Sequence, residues 1–410
     1  PQRLDRESPS GTTRLAHNEK SLLTFTAVAH ATSDALHVLY PALLFLMAAD
    51  FDEDYLFLGI LAYAMVASQG IAGLSAGFLA DRTSSRLLFG AFAGLSCLGC
   101  AVVALSSGRA TVLVGLMLLG MGAGMYHPVG LSSITRYVAR RSVGLGIHGL
   151  AGSVGASVLP VLAITLGVAF HWKTSYALAA ILPASLLVLL PMVPAEFDRP
   201  RLSDRQERES RDAIRALLQR SMVALYGASA LKEFAYIGSI TFLTTAVALY
   251  AGLGEERVLG LSSTGLFLTA VIACGGLGSY LGGRLGERHG PGRVLVPAIL
   301  LAASALAVLG LGHGPSLLVV APLVTFFFAA IDPQIGDMLG RYLPAGVHGK
   351  GFAFQYGIAQ VIGSSVGLLS GAIADAYGVR WVFPTMAGVL LCSLPVVRVF
   401  LWREPAWKRS

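Results

Sequence analysis

Three residues in an apolar stretch near the start of the chain have the chemistry needed to bind and release protons. His30, Asp34 and His37 follow one another at i, i+4 and i+7, so they share one face of a helix. A carboxylate between imidazoles can exchange a proton close to neutral pH, as coupling to a proton gradient requires. The spacing predicts a proton-coupling site. The competing interpretation is a hydrogen-bonded cluster that only joins helices.

Two further polar residues stand directly before prolines. His127 precedes Pro128, and Asp332 precedes Pro333 much later in the chain. A proline within a helix leaves one carbonyl without its donor, so substrate or water can occupy the gap. We expect His127 and the adjacent Tyr126 to contact substrate, and Asp332 to be a second titratable acid. Alternatively, each polar residue only accompanies a kink.

A third group contains the one lysine at membrane depth. Lys232 and Tyr236 share a helix face, whereas the adjacent Lys232 and Glu233 point about 100° apart and need not pair. Lys232 is suited to hold a substrate carboxylate or phosphonate. It is equally suited to close one state through an ion pair with Asp34 or Asp332. We place Glu233 with the proton-coupling residues and Tyr236 with the substrate-binding residues.

Other polar residues complete the expected sites. Those expected to bind substrate are Asp337, Gln355 and Gln360. His148 is expected to be a gating or packing residue rather than a ligand, and Arg136 is expected to contribute to gating. No metal site is expected, since no set of ligands has firm metal-binding spacing.

The composition predicts an all-α membrane protein. The chain has 410 residues, of which 55% are hydrophobic and 13% charged, whereas soluble proteins carry about 25% charged residues. Apolar runs long enough to cross a hydrocarbon core of about 30 Å recur along it. The lipid bilayer is thus a predicted partner, and loop residues account for the +7 charge without nucleic acid. No phosphate-binding loop is present, so we expect no cofactor and a gradient as the energy source.

Hydropathy divides the chain into twelve predicted spans. They cover 22–48, 55–80, 86–107, 110–137, 142–168, 173–194, 222–250, 259–282, 293–312, 316–342, 350–377 and 380–402. The predicted organisation is a tail (1–21), a six-helix bundle (22–194), a charged linker (195–221), a second six-helix bundle (222–402) and a tail (403–410). Basic residues concentrate in the loops of one side, which predicts that both termini are cytoplasmic.

The second half of the chain repeats the first. "YHPVGLSSITRY" (126–137) matches "IDPQIGDMLGRY" (331–342), and "GLAGSVGAS" (149–157) matches "GIAQVIGSS" (357–365) at nearly the same separation. Six-span halves repeated in parallel orientation are a recurring transporter design, with the substrate site at their interface. We therefore predict two pseudo-symmetric bundles around a central site.

The loop after span 2 carries a more specific resemblance. In "GFLADRTSSR", residues Gly77, Leu79, Asp81, Arg82 and Arg86 resemble the signature loop of the major facilitator superfamily, although Ser84 stands where glycine is usual. A second copy of this loop, which fits the signature less well, follows span 8 and contains Glu287 and Arg288. The resemblance implies the major facilitator fold, a monomer, and a cytoplasmic gate built on these charged residues. Alternatively, the arginines only enforce topology.

A narrower resemblance suggests a branch of this superfamily. "MYHPVG", "GIHGLAGSVG" and "AHATSDALHVLYPALL" are similar to fosmidomycin-resistance transporters, although Val129 stands where these often carry a polar residue. The resemblance implies a proton-driven antiporter in a bacterial inner membrane that exports a small antibiotic-like or anionic compound. The alternatives are an importer, a metal or metal-chelate carrier using His30, His37 and His127, and, more remotely, a receptor. An enzyme is not expected.

Overall fold

The computed structural model describes residues 9–79, 83–138, 141–194, 219–251, 253, 257–258, 260–342 and 348–402. Within these ranges the chain is helical except for connecting turns and one small hairpin. The hairpin pairs strand β1 (Arg257–Val258) antiparallel with strand β2 (Leu261–Ser262).

Six membrane spans make up the first half. Spans 1 to 5 are the helices Pro9–Asp50, Tyr55–Leu79, Ser85–Ala104, Arg109–Tyr137 and Arg141–Ala169. Span 6 consists of helices Trp172–Ala179 and Ile181–Leu189, followed by the 3₁₀ turn Leu190–Met192. The break in span 6 has a local cause, because Pro183 has no N–H group to donate to the Ala179 carbonyl.

Six more spans make up the second half. Spans 7 to 10 are the helices Arg220–Tyr250, Ser263–His289, Pro291–Leu311 and Ser316–Tyr342. Span 11 consists of His348–Ser364 and Val366–Tyr377, and span 12 consists of Val382–Leu391 and Ser393–Trp402 after the 3₁₀ turn Val379–Trp381. Pro395 explains the break in span 12 as Pro183 does in span 6.

The prediction of twelve membrane helices is confirmed. Twelve helices in the described ranges are long and apolar enough to cross a membrane. Span 1 was predicted to begin at residue 22 and begins at Pro9, and span 8 was predicted at 259–282 and runs from Ser263 to His289. The hairpin occupies the residues before it, and the Ser262 side chain caps the helix by accepting a hydrogen bond from the Gly265 N–H group at 3.3 Å.

Helix packing in the two halves follows one scheme. In the first half, span 1 packs on span 5, span 4 packs on spans 2 and 3, and span 3 packs on span 6. The corresponding pairs in the second half are span 7 with span 11, span 10 with spans 8 and 9, and span 9 with span 12. The repeated sequence therefore gives a repeated arrangement of helices.

Glycines let the two halves approach closely where span 2 packs on span 11. A Cβ atom at Gly59 would lie 2.1 Å from the Gly367 carbonyl oxygen, and one at Gly371 would lie 2.5 Å from the Tyr55 carbonyl oxygen. Span 5 also contacts the hairpin that precedes span 8, with the Ser262 N–H group donating to the Thr165 hydroxyl at 2.9 Å. The halves are therefore closed against each other on the side of the membrane where span 2 begins.

A carboxylate fastens this closed side. Asp375 of span 11 accepts hydrogen bonds from the N–H groups of Tyr55 and Leu56, both at 2.8 Å. These N–H groups belong to the first turn of span 2 and have no partner within their own helix. One side chain of the second half thus caps a helix of the first half, and the positive end of the helix dipole favours its negative charge.

We expect loss of this cap to open the closed side. Asp375→Ala removes both acceptors, at a cost of about 1 kcal/mol for a helix N-cap. Asp375→Asn keeps one acceptor oxygen and should have a smaller effect. Spin labels at the exposed residues Asp52 and Tyr377 would report the separation by pulsed electron resonance. Longer distances in the order wild type, Asn, Ala are expected, and identical distributions would contradict the role of the cap.

The loop before span 2 is tied to span 4. The Asp54 carboxylate accepts a hydrogen bond from the Phe57 N–H group at 2.8 Å and pairs with the Arg109 guanidinium. The Phe57 N–H group, followed by Arg109, holds the pKa of Asp54 below its usual range. The contact therefore contributes its full stability above the ordinary pKa of aspartate, and this stability is lost as the pH falls through the lowered pKa of Asp54.

Candidate functional site

The first group of polar residues surrounds Asp34 and joins spans 1 and 4. The Asp34 carboxylate lies 3.3 Å from His30 Nε2 through one oxygen and 3.8 Å from His127 Nε2 through the other. His37, on the same helix and within electrostatic range of Asp34, has its Nδ1 atom 3.1 Å from the amide oxygen of Gln69 on span 2. The structure therefore places the acid between imidazoles from two spans.

Hydrogen bonding fixes where the protons of His30 lie. His30 Nδ1 is 2.7 Å from the His148 carbonyl oxygen, and a carbonyl can only accept, so Nδ1 carries a hydrogen. The other ring nitrogen faces Asp34. If it lacks a hydrogen, the contact needs a protonated Asp34. If it carries one, an imidazolium faces a carboxylate. The pair can therefore hold one proton, either on Asp34 or on His30 Nε2.

His148 packs beneath this pair. Its ring stacks on the His30 ring with centroids 3.9 Å apart and planes 7° apart, and the residue is 3% exposed. Its Nδ1 atom is 3.4 Å from the hydroxyl of Tyr126, which donates to the Thr26 carbonyl. The predicted gating residue His148 and the predicted substrate residue Tyr126 thus both support the ring of His30.

The three donors around Asp34 are also close enough for a metal ion. One ligand atom each from His30, Asp34 and His127 lie within 4.8 Å of one another. Imidazole and carboxylate donors suit borderline divalent ions. The expectation that the chain holds no metal site stays a prediction.

A glycine on span 5 makes room for the His30–Asp34 pair. A Cβ atom at Gly152 would lie 2.5 Å from Asp34 Oδ2 and 2.6 Å from His30 Cε1. Gly149, one turn earlier, has no atom within 4 Å of such a position. The two glycines therefore form a matched pair for substitution.

We expect Gly152→Ala to push Asp34 and His30 apart and to lower proton-coupled transport about tenfold, since overpacking typically costs about 1–3 kcal/mol. Gly149→Ala should change transport less than about twofold, because nothing opposes the added methyl group. The measurement is the initial rate of proton movement in proteoliposomes. Equal rates for the two variants would show that the contact is not needed for coupling.

The second group of polar residues joins spans 7 and 10. The Lys232 ammonium lies 2.7 Å from Asp332 Oδ1 and 3.1 Å from Glu233 Oε2. Lys232 and Glu233 therefore pair, although their positions on the helix did not require it. Their long side chains bridge the angle between them, because an unpaired ammonium in a buried apolar setting is costly. Of the two roles left open for Lys232, the structure contains the ion pair with Asp332.

Aromatic rings border the second group. The Lys232 ammonium lies 4.9 Å from the centroid of the Tyr236 ring, within the range of a cation–π contact. The Tyr236 ring meets the Phe328 ring edge to face at 5.5 Å. The predicted substrate residue Tyr236 thus forms an aromatic wall beside the charges.

A tyrosine on span 11 lies between the two groups. The Tyr356 hydroxyl accepts hydrogen bonds from the amides of Gln69 at 2.9 Å and Gln360 at 3.1 Å. Its ring lies 5.4 Å from that of His127, and it is within electrostatic range of both Asp34 and Glu233. Hydrogen bonds therefore connect the first half, through span 2, with the second half, through span 11.

Sequence reasoning missed two members of this connection. Gln69 and Tyr356 were not among the predicted site residues. The available signals were a glutamine in the otherwise apolar span 2, and a tyrosine one helical turn before the predicted residue Gln360.

Other predicted residues lie away from both groups. Asp337 pairs with Arg341 at 2.7 Å in the last turns of span 10, and both side chains are about half exposed. Gln355 donates to the Ser229 hydroxyl, while Glu287 and Arg288 are exposed near the end of span 8.

The predicted gate falls partly outside the described residues. Asp81 and Arg82 are not described, and of Arg136 only the helical backbone is described. The Arg86 guanidinium donates to the Val193 carbonyl, with Nε at 2.7 Å, and so ties span 3 to the end of span 6.

Twelve membrane helices in two similarly packed halves, with a polar centre between them, define a multi-pass membrane transporter. The chain belongs to the Major Facilitator Superfamily, whose family model matches residues 23–254 and 234–410.

Two relatives illustrate the range of similar proteins. The uncharacterised MFS-type transporter YfnC of Bacillus subtilis is 21% identical over 94% of this chain and 93% of its own length. The multidrug resistance protein MdtG of Citrobacter koseri is 25% identical over 82% of this chain and 81% of its own.

A solved structure shows the same fold. It is that of a bacterial homologue of the human lysosomal transporter Spinster, in an inward-facing and unoccupied conformation. It superimposes with a TM-score of 0.74 at 15% identity over 94% of this chain and 98% of that chain. The fold and the transporter relatives identify a small-molecule transporter rather than an enzyme.

Proposed function

We propose that the protein is a proton-coupled exporter of small antibiotic-like compounds that acts as a monomer in the bacterial inner membrane. The observation that carries the proposal is the 3.3 Å contact between His30 Nε2 and the Asp34 carboxylate at membrane depth, with His30 Nδ1 held by the His148 carbonyl oxygen. A proton at an acid inside the membrane is what a proton-driven carrier must bind and release. The acid lies on span 1, next to the contact between the halves.

The direction of transport rests on likeness and on topology. The multidrug resistance protein MdtG aligns over most of this chain, and the polar pattern of spans 1, 4 and 5 resembles the fosmidomycin-resistance branch. The basic loops favour cytoplasmic termini. In that orientation the side closed by Asp375 faces outward, and under this proposal the substrate reaches the polar centre from the cytoplasm, as the first step of export requires.

The cycle follows from these elements. Substrate enters from the cytoplasm while the His30–Asp34 contact gives up its proton. The halves then rock to open the opposite side, which requires release of the Asp375 cap. A proton from outside restores the His30–Asp34 contact as the substrate leaves, and the halves return. The charged loop after span 2 would close the cytoplasmic side in the outward-open state.

The test uses purified protein in liposomes that contain a pH-sensitive dye. A proton gradient is imposed, and fosmidomycin, a panel of other antibiotics and divalent metal ions are added in turn. We expect proton movement that depends on at least one of the antibiotics. If the transport of every compound tested is independent of the imposed proton gradient, the proposal is wrong.

A metal carrier is the competing candidate, favoured by the closeness of His30, Asp34 and His127. The same assay separates the two, because a carrier of this kind would respond to divalent ions alone.

A further inference from the structure

The polar centre carries an excess of negative charge. Its carboxylates are Asp34, Glu233 and Asp332, and its fixed cation among the described residues is Lys232. With the imidazoles neutral, three carboxylates and one ammonium leave two negative charges, and one proton bound by the His30–Asp34 pair would leave one. Uncompensated charge at membrane depth is costly, so the centre favours the uptake of a cation and disfavours an anion.

The polar centre contains no second fixed cation among the described residues. Its remaining titratable side chains are the imidazoles of spans 1, 4 and 5 and the tyrosines of spans 4, 7 and 11, namely His30, His37, His127, His148, Tyr126, Tyr236 and Tyr356. None of them carries a fixed positive charge. Asp337 and Arg341 neutralise each other near the end of span 10.

Exposure shows which charge an entering molecule meets. The Lys232 side chain is 7% exposed, whereas the Asp332 side chain is 56% exposed although the two are 2.7 Å apart. One oxygen of Asp332 binds Lys232, and no described residue pairs with the other. The ammonium therefore lies behind its carboxylates, and the accessible face of the second group is negative.

The aromatic surroundings suit the same kind of ligand. Tyr236 is partly exposed and already holds the Lys232 ammonium near its ring face, with the buried Phe328 ring packed behind it. Aromatic faces attract cations, and desolvation strengthens the attraction. On the other side of the centre, the rings of His127 and Tyr356 lie 5.4 Å apart.

We infer that the exported substrate is an organic monocation, an amine or quaternary ammonium group on an aromatic body, bound at Asp332 with Glu233 as the second carboxylate. This inference rests on the proposed function and departs from the expectation that Lys232 holds a substrate anion. A monocation and a proton each compensate one negative charge of the same centre. Binding of one therefore weakens binding of the other, which is the condition for exchange.

Ethidium is a suitable probe, because it is a permanent aromatic monocation and its own protonation cannot confuse the result. Its binding to the full chain in detergent is followed by fluorescence anisotropy at constant pH. Asp332→Asn is expected to weaken binding at least about tenfold, since the bound cation loses its charged partner inside the membrane. Asp52→Asn, in an exposed loop, is the matched control and should bind as the wild type does.

A competition experiment with an anion distinguishes a cation-binding site from an anion-binding site. Fosmidomycin is expected not to displace ethidium. Fosmidomycin binding that is lost in Lys232→Gln would overturn the inference, as would unchanged ethidium affinity in Asp332→Asn. If Asp332→Asn does not fold, Glu233→Gln serves instead, because it keeps the Lys232–Asp332 pair and removes only the excess charge.

The binding assay is independent of proton movement. Ethidium binding that depends on Asp332, without proton movement in liposomes, would support the cation site and contradict proton coupling. Proton movement driven by anions alone would support proton coupling and contradict the cation site.

Discussion

Asp34→Asn is expected to reduce substrate-dependent proton movement at least about a hundredfold. Asn keeps the size of the side chain but can neither bind nor release a proton at neutral pH. It also leaves His30 Nε2 and His127 Nε2 without the carboxylate that lies 3.3 Å and 3.8 Å away. Loss of one partner from a buried charged contact costs about 3–5 kcal/mol, which corresponds to a decrease of about a hundredfold or more.

The measurement is the dye signal in proteoliposomes after substrate addition. Asp52→Asn is the control, because it makes the same chemical change at an exposed loop residue. Binding of ethidium to Asp34→Asn should persist, since the inferred cation site is at Asp332. Undiminished proton movement in Asp34→Asn would show that another group carries the proton.

Lys232→Gln is expected to destabilise the protein by about 3–5 kcal/mol. The ammonium lies within 3.1 Å of two carboxylates, so its loss leaves Glu233 and Asp332 as unpaired like charges at membrane depth. The effect appears as a lower midpoint of thermal unfolding in detergent.

A double variant tests the cause of this loss. Lys232→Gln/Asp332→Asn removes both members of the closer ion pair, and replacement of both partners of a buried pair is often nearly neutral. It should therefore recover most of the lost stability. If the double variant were as unstable as the single one, lost packing rather than unpaired charge would be responsible.

The sequence predicted the membrane helices well because hydropathy and repeats report them directly. Apolar runs mark the twelve spans, and the matched stretches of the two halves correspond to matched helix packing. Span 8 was misplaced by several residues because a serine cap and a hairpin, rather than hydropathy, determine where it starts.

The candidate site was predictable only where a single helix sets the geometry. The i, i+4 spacing correctly brought His30 to Asp34, but it could not show that His37 turns to Gln69 on another span. The pairing of Lys232 with Glu233 depends on side-chain reach, which helical angles do not describe. Tyr356 reaches the centre only because spans 2 and 11 pack closely, and no spacing within the chain encodes that contact.

The most direct test of the account counts the protons that leave the protein when a cation binds. Ethidium is added to purified protein in weakly buffered detergent solution with a pH indicator, over a series of starting pH values. We expect release of up to about one proton per ethidium bound, with a maximum at the pH where the centre is about half protonated, and a smaller release from Asp34→Asn. Binding with no proton release at any pH, or with proton uptake, would contradict exchange of a proton for a cation at this centre.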